Sequence, residues 1–148
     1  GRHFITNRAH GALGDALPAA LGAWYGRPGA KVVALMGDGS FGFDCGELET
    51  ITRTGASITF IVFSNAEFGW IKASQKADKG GRYHNVDFGR TDHAAVAAAF
   101  GVKSWRVEDA GNLDAVLQDA IDHDGPTLVD IITQPLEEAA APVRRWMG

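Results

Sequence analysis

The chain has 148 residues, 45% of them hydrophobic and 22% charged, with a formal net charge of −4. These values describe one globular domain over residues 1–148, able to bury roughly 70% of its unfolded surface. They give no support to nucleic-acid binding or an anionic membrane surface, and Cys45, the only cysteine, excludes an intrachain disulfide.

In chain order, Gly1-Arg2-His3-Phe4 is an abrupt start, read as a boundary inside a longer polypeptide, so that the domain is a fragment or subunit of something larger. Ala16 to Tyr25 reads as a helix with Pro18 in its first turn, where a missing N–H costs little. Gly26-Arg-Pro-Gly29 stops it. Lys31 to Met36 is a buried strand. Phe43 to Arg53 is a helix with Leu48, Ile51 and Cys45 inward and Gly55 just past its end. Cys45 reads as a packing residue, with no base nearby to make it a nucleophile. Ser57 to Phe63 is near-continuously apolar, as buried parallel strands are. A short helix begins over Glu67 to Ser74. Gln75 to Arg90 is polar, contains Gly80-Gly81 and lacks periodicity, which predicts a long functional or disordered loop. Lys72, Lys76, Lys79 and Arg82 make it basic: either a solvated surface or a lid that attracts a carboxylate. Asp92 to Phe100 is an alanine-rich helix capped by Thr91 or Asp92. Val102 to Val107 is a strand, Leu113 to His123 an amphipathic helix, and Thr127 to Ile132 a fourth strand. From Pro135 a partly helical tail ends in Val143-Arg-Arg-Trp-Met147, and Trp146 either packs on the domain or covers a ligand. The alternation predicts an α/β fold: a doubly wound, mostly parallel sheet with helices on both faces and right-handed crossovers. No apolar run reaches about 18 residues and no signal peptide is visible, so the expected location is the cytoplasm.

Gly37-Asp38-Gly39-Ser40-Phe41, at the end of the first strand, carries the chemistry. Gly39 and Ser40 offer backbone N–H groups to a phosphate. Asp38 between them would repel that phosphate unless a divalent cation lies between. Asn65, at the end of the next strand, is a second ligand candidate, and parallel strands would bring it to Asp38 at their carboxyl ends, where open α/β sheets bind ligands. Hard oxygen donors suit Mg²⁺ or Ca²⁺ rather than zinc. The expected ligand is a metal-bridged diphosphate. Three segments converge on it: Gly11-Ala-Leu13-Gly14, Gly37 to Phe41, and Ser64-Asn65-Ala66-Glu67-Phe68-Gly69. The pattern Gly37-x-Gly39-x-x-Gly42 also fits a dinucleotide-binding Rossmann unit of the NAD type. Against that, Asp38 would face a bare pyrophosphate, and the next strand ends in Ser64-Asn65 rather than in an acidic ribose partner.

These motifs resemble the C-terminal pyrophosphate-binding domain of thiamine diphosphate enzymes, in the acetolactate synthase and benzoylformate decarboxylase branch. That family carries GDG, then about 25 to 30 residues, then NN; here they read Gly37-Asp38-Gly39 and Ser64-Asn65. The likeness runs from Gly11-x-Leu13-Gly14-x-x-Leu17-Pro18-Ala19-Ala20-Leu21-Gly22 to the last strand. It implies thiamine diphosphate and Mg²⁺ (or Ca²⁺) as cofactors. Asp38, the Asn65 side chain and the Glu67 carbonyl would be metal ligands. Gly39 and Ser40 would donate to the diphosphate, with Phe68 and Gly69 also in the cofactor-binding segment. The Gly11 carbonyl would accept from the aminopyrimidine, and Leu13 would enforce the V-shaped cofactor that lets the pyrimidine activate the thiazolium. His10, Trp70 and Ile71 would line the substrate wall. The implied activity is decarboxylation or carboligation of a small 2-keto acid. It also implies a pyrimidine-binding partner domain carrying an activating glutamate, usually on a neighbouring subunit, hence a homo-oligomer. No residue here matches that glutamate: Glu47 and Glu49 follow Asp38 on the wrong side. Ser64 departs from the first Asn of the pair. A rival is a non-catalytic module that binds a diphosphate or assembles with a partner. His84 reads as a loop residue, and His3, His93 and His123 as surface or packing residues.

Overall fold

A computed structural model describes residues 3–7, 10–136 and 138. Helix α1 spans Ala16–Gly26, strand β1 Val32–Gly37 and α2 Asp38–Asp44. A tight 3-10 turn at Cys45–Glu47 leads into α3, Leu48–Thr54, and then β2, Ile58–Ser64. Next come α4, Gly69–Asp78; α5, His93–Ala99; β3, Lys103–Val107; α6, Leu113–Asp122; and β4, Thr127–Ile132. The four strands form one sheet in the order β1-β2-β4-β3, every neighbouring pair parallel.

That order explains the helix layers. The chain moves from β1 to β2 to β3 in one direction, then returns to place β4 between β2 and β3. A right-handed crossover puts its helix on the opposite face when the direction reverses. Thus α1, α3 and α5 pack Leu17, Ile51 and Ala97 against Phe60, Val62 and Leu128 on one face. On the other face, α6 packs Ala120 against Val107 and Val129. Thr59 Oγ1 on β2 donates to the Ala120 carbonyl at 3.0 Å, tying α6 to the amino end of the sheet.

Three expectations need correction. Strand β1 is not buried on both faces: it is the sheet edge, and Val33, Phe63 and Leu35, the last 60% exposed, project from the side opposite α1. The helix expected from Phe43 begins at Asp38 instead and is broken at Cys45–Glu47. Gly42 before that break and Gly46 within it weaken helical continuity there. The Gln75 to Arg90 loop loses its first turn to α4, which runs on to Asp78. The cap of α5 resolves to Asp92, whose carboxylate accepts from the Ala95 N–H at 2.8 Å. Gly55 ends α3 with φ +65°, the left-handed stop its position suggested. The predicted C-terminal helix and Trp146 lie outside the described residues.

Candidate functional site

Gly37 ends β1 and caps α2 with an extended backbone (φ −83°, ψ 161°), so Asp38 is the first residue of the helix. The Asp38 side chain is held at the carboxyl end of the sheet, and the residue is only 4% exposed. Its Oδ1 accepts from the Gly39 N–H at 2.8 Å. Its Oδ2 accepts from the Ala66 N–H at 2.7 Å, across the gap to the turn that follows β2. Among the described residues no cationic side chain is ion-paired with Asp38. A buried carboxylate compensated by two amide dipoles alone keeps lone pairs and charge to offer a cation. Asn65 and Ala66 line the same cleft as Asp38. Asn65 Oδ1 accepts a long bond from the Glu67 N–H, 3.3 Å. The donor set is therefore one carboxylate and one amide oxygen, with the Glu67 carbonyl nearby in the same turn: hard oxygens suited to Mg²⁺. Among the described residues no cluster of three or more His, Cys, Asp or Glu forms a metal centre of another kind.

The turn is braced from outside. Glu67 faces Asp87 in an antiparallel bridge. The bridge bonds run from the Phe68 N–H to the Val86 carbonyl (2.8 Å) and from the Phe88 N–H to the Ala66 carbonyl (3.0 Å). In this non-hydrogen-bonded type of pair, the N–H and C=O of Glu67 itself point away from the partner segment. The buried Glu67 carboxylate accepts from Lys72 Nζ (2.9 Å) and from the Leu136 N–H (2.9 Å). Lys72 also reaches Asp87 at 2.7 Å. Lys72 is thus a clasp between α4, the turn and the following loop, not a solvated loop cation. A Cβ on Gly69 would stand 3.1 Å from Asn65 Nδ2, so glycine lets this turn close.

The glycine segment before α1 meets α2 directly. The Gly14 N–H donates to Ser40 Oγ at 3.0 Å. Gly14 has φ +93°, and a Cβ there would come within 2.7 Å of Asp44 Oδ2, so only glycine fits. Gly11 has φ +60° and Leu13 is 45% exposed, a bulky apolar residue presented outward beside the site. Gly39 lies under the Phe68 ring, 2.6 Å from where its Cβ would be, and its N–H is bonded to Asp38 rather than left free. Phe68 stacks edge-on with Phe88, centroids 5.0 Å apart. Trp70 and Ile71 are exposed at the start of α4, and His10 is exposed before Gly11.

One cluster escaped the sequence reading. Ser64, His93, Arg106 and Asp130 line the same cleft or stand directly behind it. Ser64 Oγ donates to Asp130 Oδ1 and lies 3.0 Å from His93 Nδ1. Asp130 Oδ2 accepts from the His93 N–H (3.1 Å) and from Arg106 Nη1 (3.3 Å). Burial alone would raise the Asp130 carboxyl pKa, but hydrogen bonds from His93 and Ser64 and the neighbouring His93 ring hold it below the ordinary 3.8. The available signal was an aspartate in the middle of the apolar run Thr127-Leu-Val-Asp-Ile-Ile132, since a buried carboxylate demands partners. His93 is correspondingly a buried network member, with its ring edge-on to Phe41 at 5.4 Å.

Fold and site define an α/β domain that gathers its polar groups at the carboxyl edge of a parallel sheet, where such sheets take ligands. A sequence model described as "Thiamine pyrophosphate enzyme, C-terminal TPP binding domain" matches residues 1–131, and the chain belongs to that family. It is similar to "Acetolactate synthase" of Bacillus subtilis (strain 168), 40% identical over 119 residues, 80% of this chain and 21% of the relative. "Acetolactate synthase, catabolic" of Raoultella terrigena is 38% identical over 130 residues, 88% of this chain and 23% of the relative. "Probable acetolactate synthase large subunit" of Methanococcus aeolicus is 32% identical over 135 residues, 90% and 22%. The chain spans about a fifth of the length of the curated relatives it matches. The family implies thiamine diphosphate as cofactor. The dinucleotide alternative is not favoured: the matching family is a thiamine pyrophosphate domain, and β2 ends at Ser64, followed by Asn65, without an acidic ribose partner.

Proposed function

We propose that this chain holds the diphosphate end of thiamine diphosphate through one Mg²⁺, as part of an acetolactate synthase-like decarboxylase or carboligase acting on small 2-keto acids. The observation that carries the proposal is the Asp38 carboxylate, buried without a cationic partner among the described residues and gripped by the Ala66 N–H from the turn that bears Asn65. In this reading Asp38, the Asn65 side chain and the Glu67 carbonyl hold the ion. The first turn of α2 presents Ser40 to the diphosphate, since helix first turns leave N–H donors without intrahelical acceptors, while the Gly39 N–H is engaged by Asp38. Gly11 and Leu13 meet the cofactor's other end, with Leu13 as an apolar support. Phe68 and Phe88 pack together over Gly39 at the start of α2. In this reading the exposed His10, Trp70 and Ile71 form the substrate wall. When bound, the cofactor supplies the electron sink for decarboxylation.

The reading also assigns this chain half of a site. A pyrimidine-binding domain carrying an activating glutamate, on a neighbouring subunit of a homo-oligomer, would complete it. Among the described residues no helix is long and apolar enough to cross a membrane.

The test is a tryptophan-fluorescence titration with thiamine diphosphate in Mg²⁺ and in EDTA, with Trp70, at the start of the helix that follows the Asn65 turn, as the reporter. Saturable quenching is expected only with Mg²⁺, and Asp38→Ala is expected to abolish it while the far-UV circular dichroism is unchanged. Mg²⁺-dependent affinity retained in Asp38→Ala would contradict the assignment. Adding a pyrimidine-binding partner and assaying pyruvate consumption separates the enzyme from a non-catalytic module, which would stay inactive with the partner bound.

A further inference from the structure

The buried Ser64, His93 and Asp130 and the partly exposed Arg106 form a polar cluster to which the reaction above gives no task. Three strands and a helix supply it: Ser64 ends β2, Arg106 lies near the end of β3, Asp130 lies in β4 and His93 opens α5. Asp130 is fully buried, and its carboxylate collects the Ser64 hydroxyl, the His93 N–H and Arg106 Nη1. A hydroxyl that donates to Asp130 keeps lone pairs to accept from His93 Nδ1–H, 3.0 Å away, so no member is left unpaired. Fully satisfied buried networks rigidify what they hold.

What this network holds is the end of β2. Ser64 is directly followed by Asn65 and by Ala66, whose N–H grips Asp38. The Thr133 N–H donates to the Ser64 carbonyl at 2.9 Å, so Ser64 is pinned by both backbone and side chain. The pinned residue thus sets where the next two can be.

We infer that Asp130, acting through Ser64 and held in place by His93 and Arg106, is a positioning residue for the Asn65-Ala66 turn, and through it for the metal–diphosphate site. The inference rests on the cofactor reading above. Residues that orient metal ligands from behind typically change metal affinity roughly 10- to 100-fold when removed.

A control distinguishes positioning from plain stability. Thr127 and Thr59 form a second buried polar pair at the amino ends of β4 and β2, 2.9 Å apart. Thr127→Val removes that pair and touches nothing at the carboxyl edge. The experiment measures Mg²⁺-dependent thiamine diphosphate affinity of the 148-residue chain, its melting temperature, and hydrogen exchange at the Ala66 amide. Ser64→Ala and Asp130→Asn are expected to weaken affinity at least tenfold and to speed Ala66 exchange by a similar factor. Thr127→Val is expected to lower the melting temperature while affinity stays within about twofold. Ser64→Ala is the milder change, and its exchange readout does not depend on cofactor. Unchanged affinity and exchange in both variants, or an equal loss of affinity in Thr127→Val, would overturn the inference alone. Absence of Mg²⁺-dependent binding by the unsubstituted chain with a pyrimidine-binding partner bound would overturn the cofactor reading and the inference with it.

Discussion

Ala66 carries a left-handed backbone, φ +59°, where its N–H meets Asp38. That conformation costs a residue with a Cβ about 1–2 kcal/mol, which the Asp38 bond and the Phe88 bridge offset. Ala66→Gly is therefore expected to be near neutral in urea unfolding, because relief of strain is balanced by greater unfolded-state entropy. Ala66→Val is expected to lose about 1–3 kcal/mol. Asp130 gives a prediction in pH. Its folded pKa lies below 3.8, so between the two values the unfolded chain binds more protons. Its contribution is therefore present above about 3.8 and is lost as pH falls through the folded value. Acid unfolding followed by circular dichroism should show a shallower acid limb in Asp130→Asn, and an unchanged limb would place acid sensitivity elsewhere. The contrast between Asp38 and Asp130 shows what single residues disclose. Asp38 declares itself because glycines flank it and an electrostatic conflict is written in three adjacent letters. The Asp130 partners lie 24, 37 and 66 residues away, and Arg106, His93 and Ser64 each read as ordinary when taken alone.

Among the elements, the four strands and the helices α1, α5 and α6 were legible because apolar periodicity, caps and glycine stops agree over each segment. The start of α2 was not. Gly-Asp-Gly-Ser reads as a loop by propensity, and only the Gly37 cap and the buried Asp38 make it helical. Nor was the extension of α4 to Asp78, where local polarity masked a helix anchored by tertiary contacts of Lys72. Lys72 is the element-scale test. It neutralises the buried Glu67 and reaches Asp87 on the loop that bridges to the site turn. Lys72→Met removes the cation beside the buried Glu67, at a cost of about 3–5 kcal/mol in chemical unfolding. Limited proteolysis between residues 79 and 87 should accelerate as that clasp opens. A variant as stable and as protease-resistant as the unsubstituted chain would show that Lys72 is not the clasp.

For the whole molecule, the return of β4 between β2 and β3 brings Asp38, the Asn65 turn and the Asp130 cluster to one carboxyl edge. The sequence order predicts parallel strands but not which one returns, and so left the membership of the site partly open. Ligand linkage reads this edge globally. At about 100 times the dissociation constant a ligand adds about 2.7 kcal/mol, which for a domain of this size is roughly 5–10 °C in melting temperature. That rise is expected with Mg²⁺ and thiamine diphosphate together and not with thiamine diphosphate in EDTA. The most direct measurement is a crystal of the chain grown with thiamine diphosphate and Mn²⁺ in place of Mg²⁺, with anomalous diffraction locating the ion. The expected result is one strong peak about 2.0–2.3 Å from both an Asp38 carboxylate oxygen and Asn65 Oδ1, against the diphosphate. Cofactor bound with no ion between those two residues, or an ion held elsewhere, would contradict it.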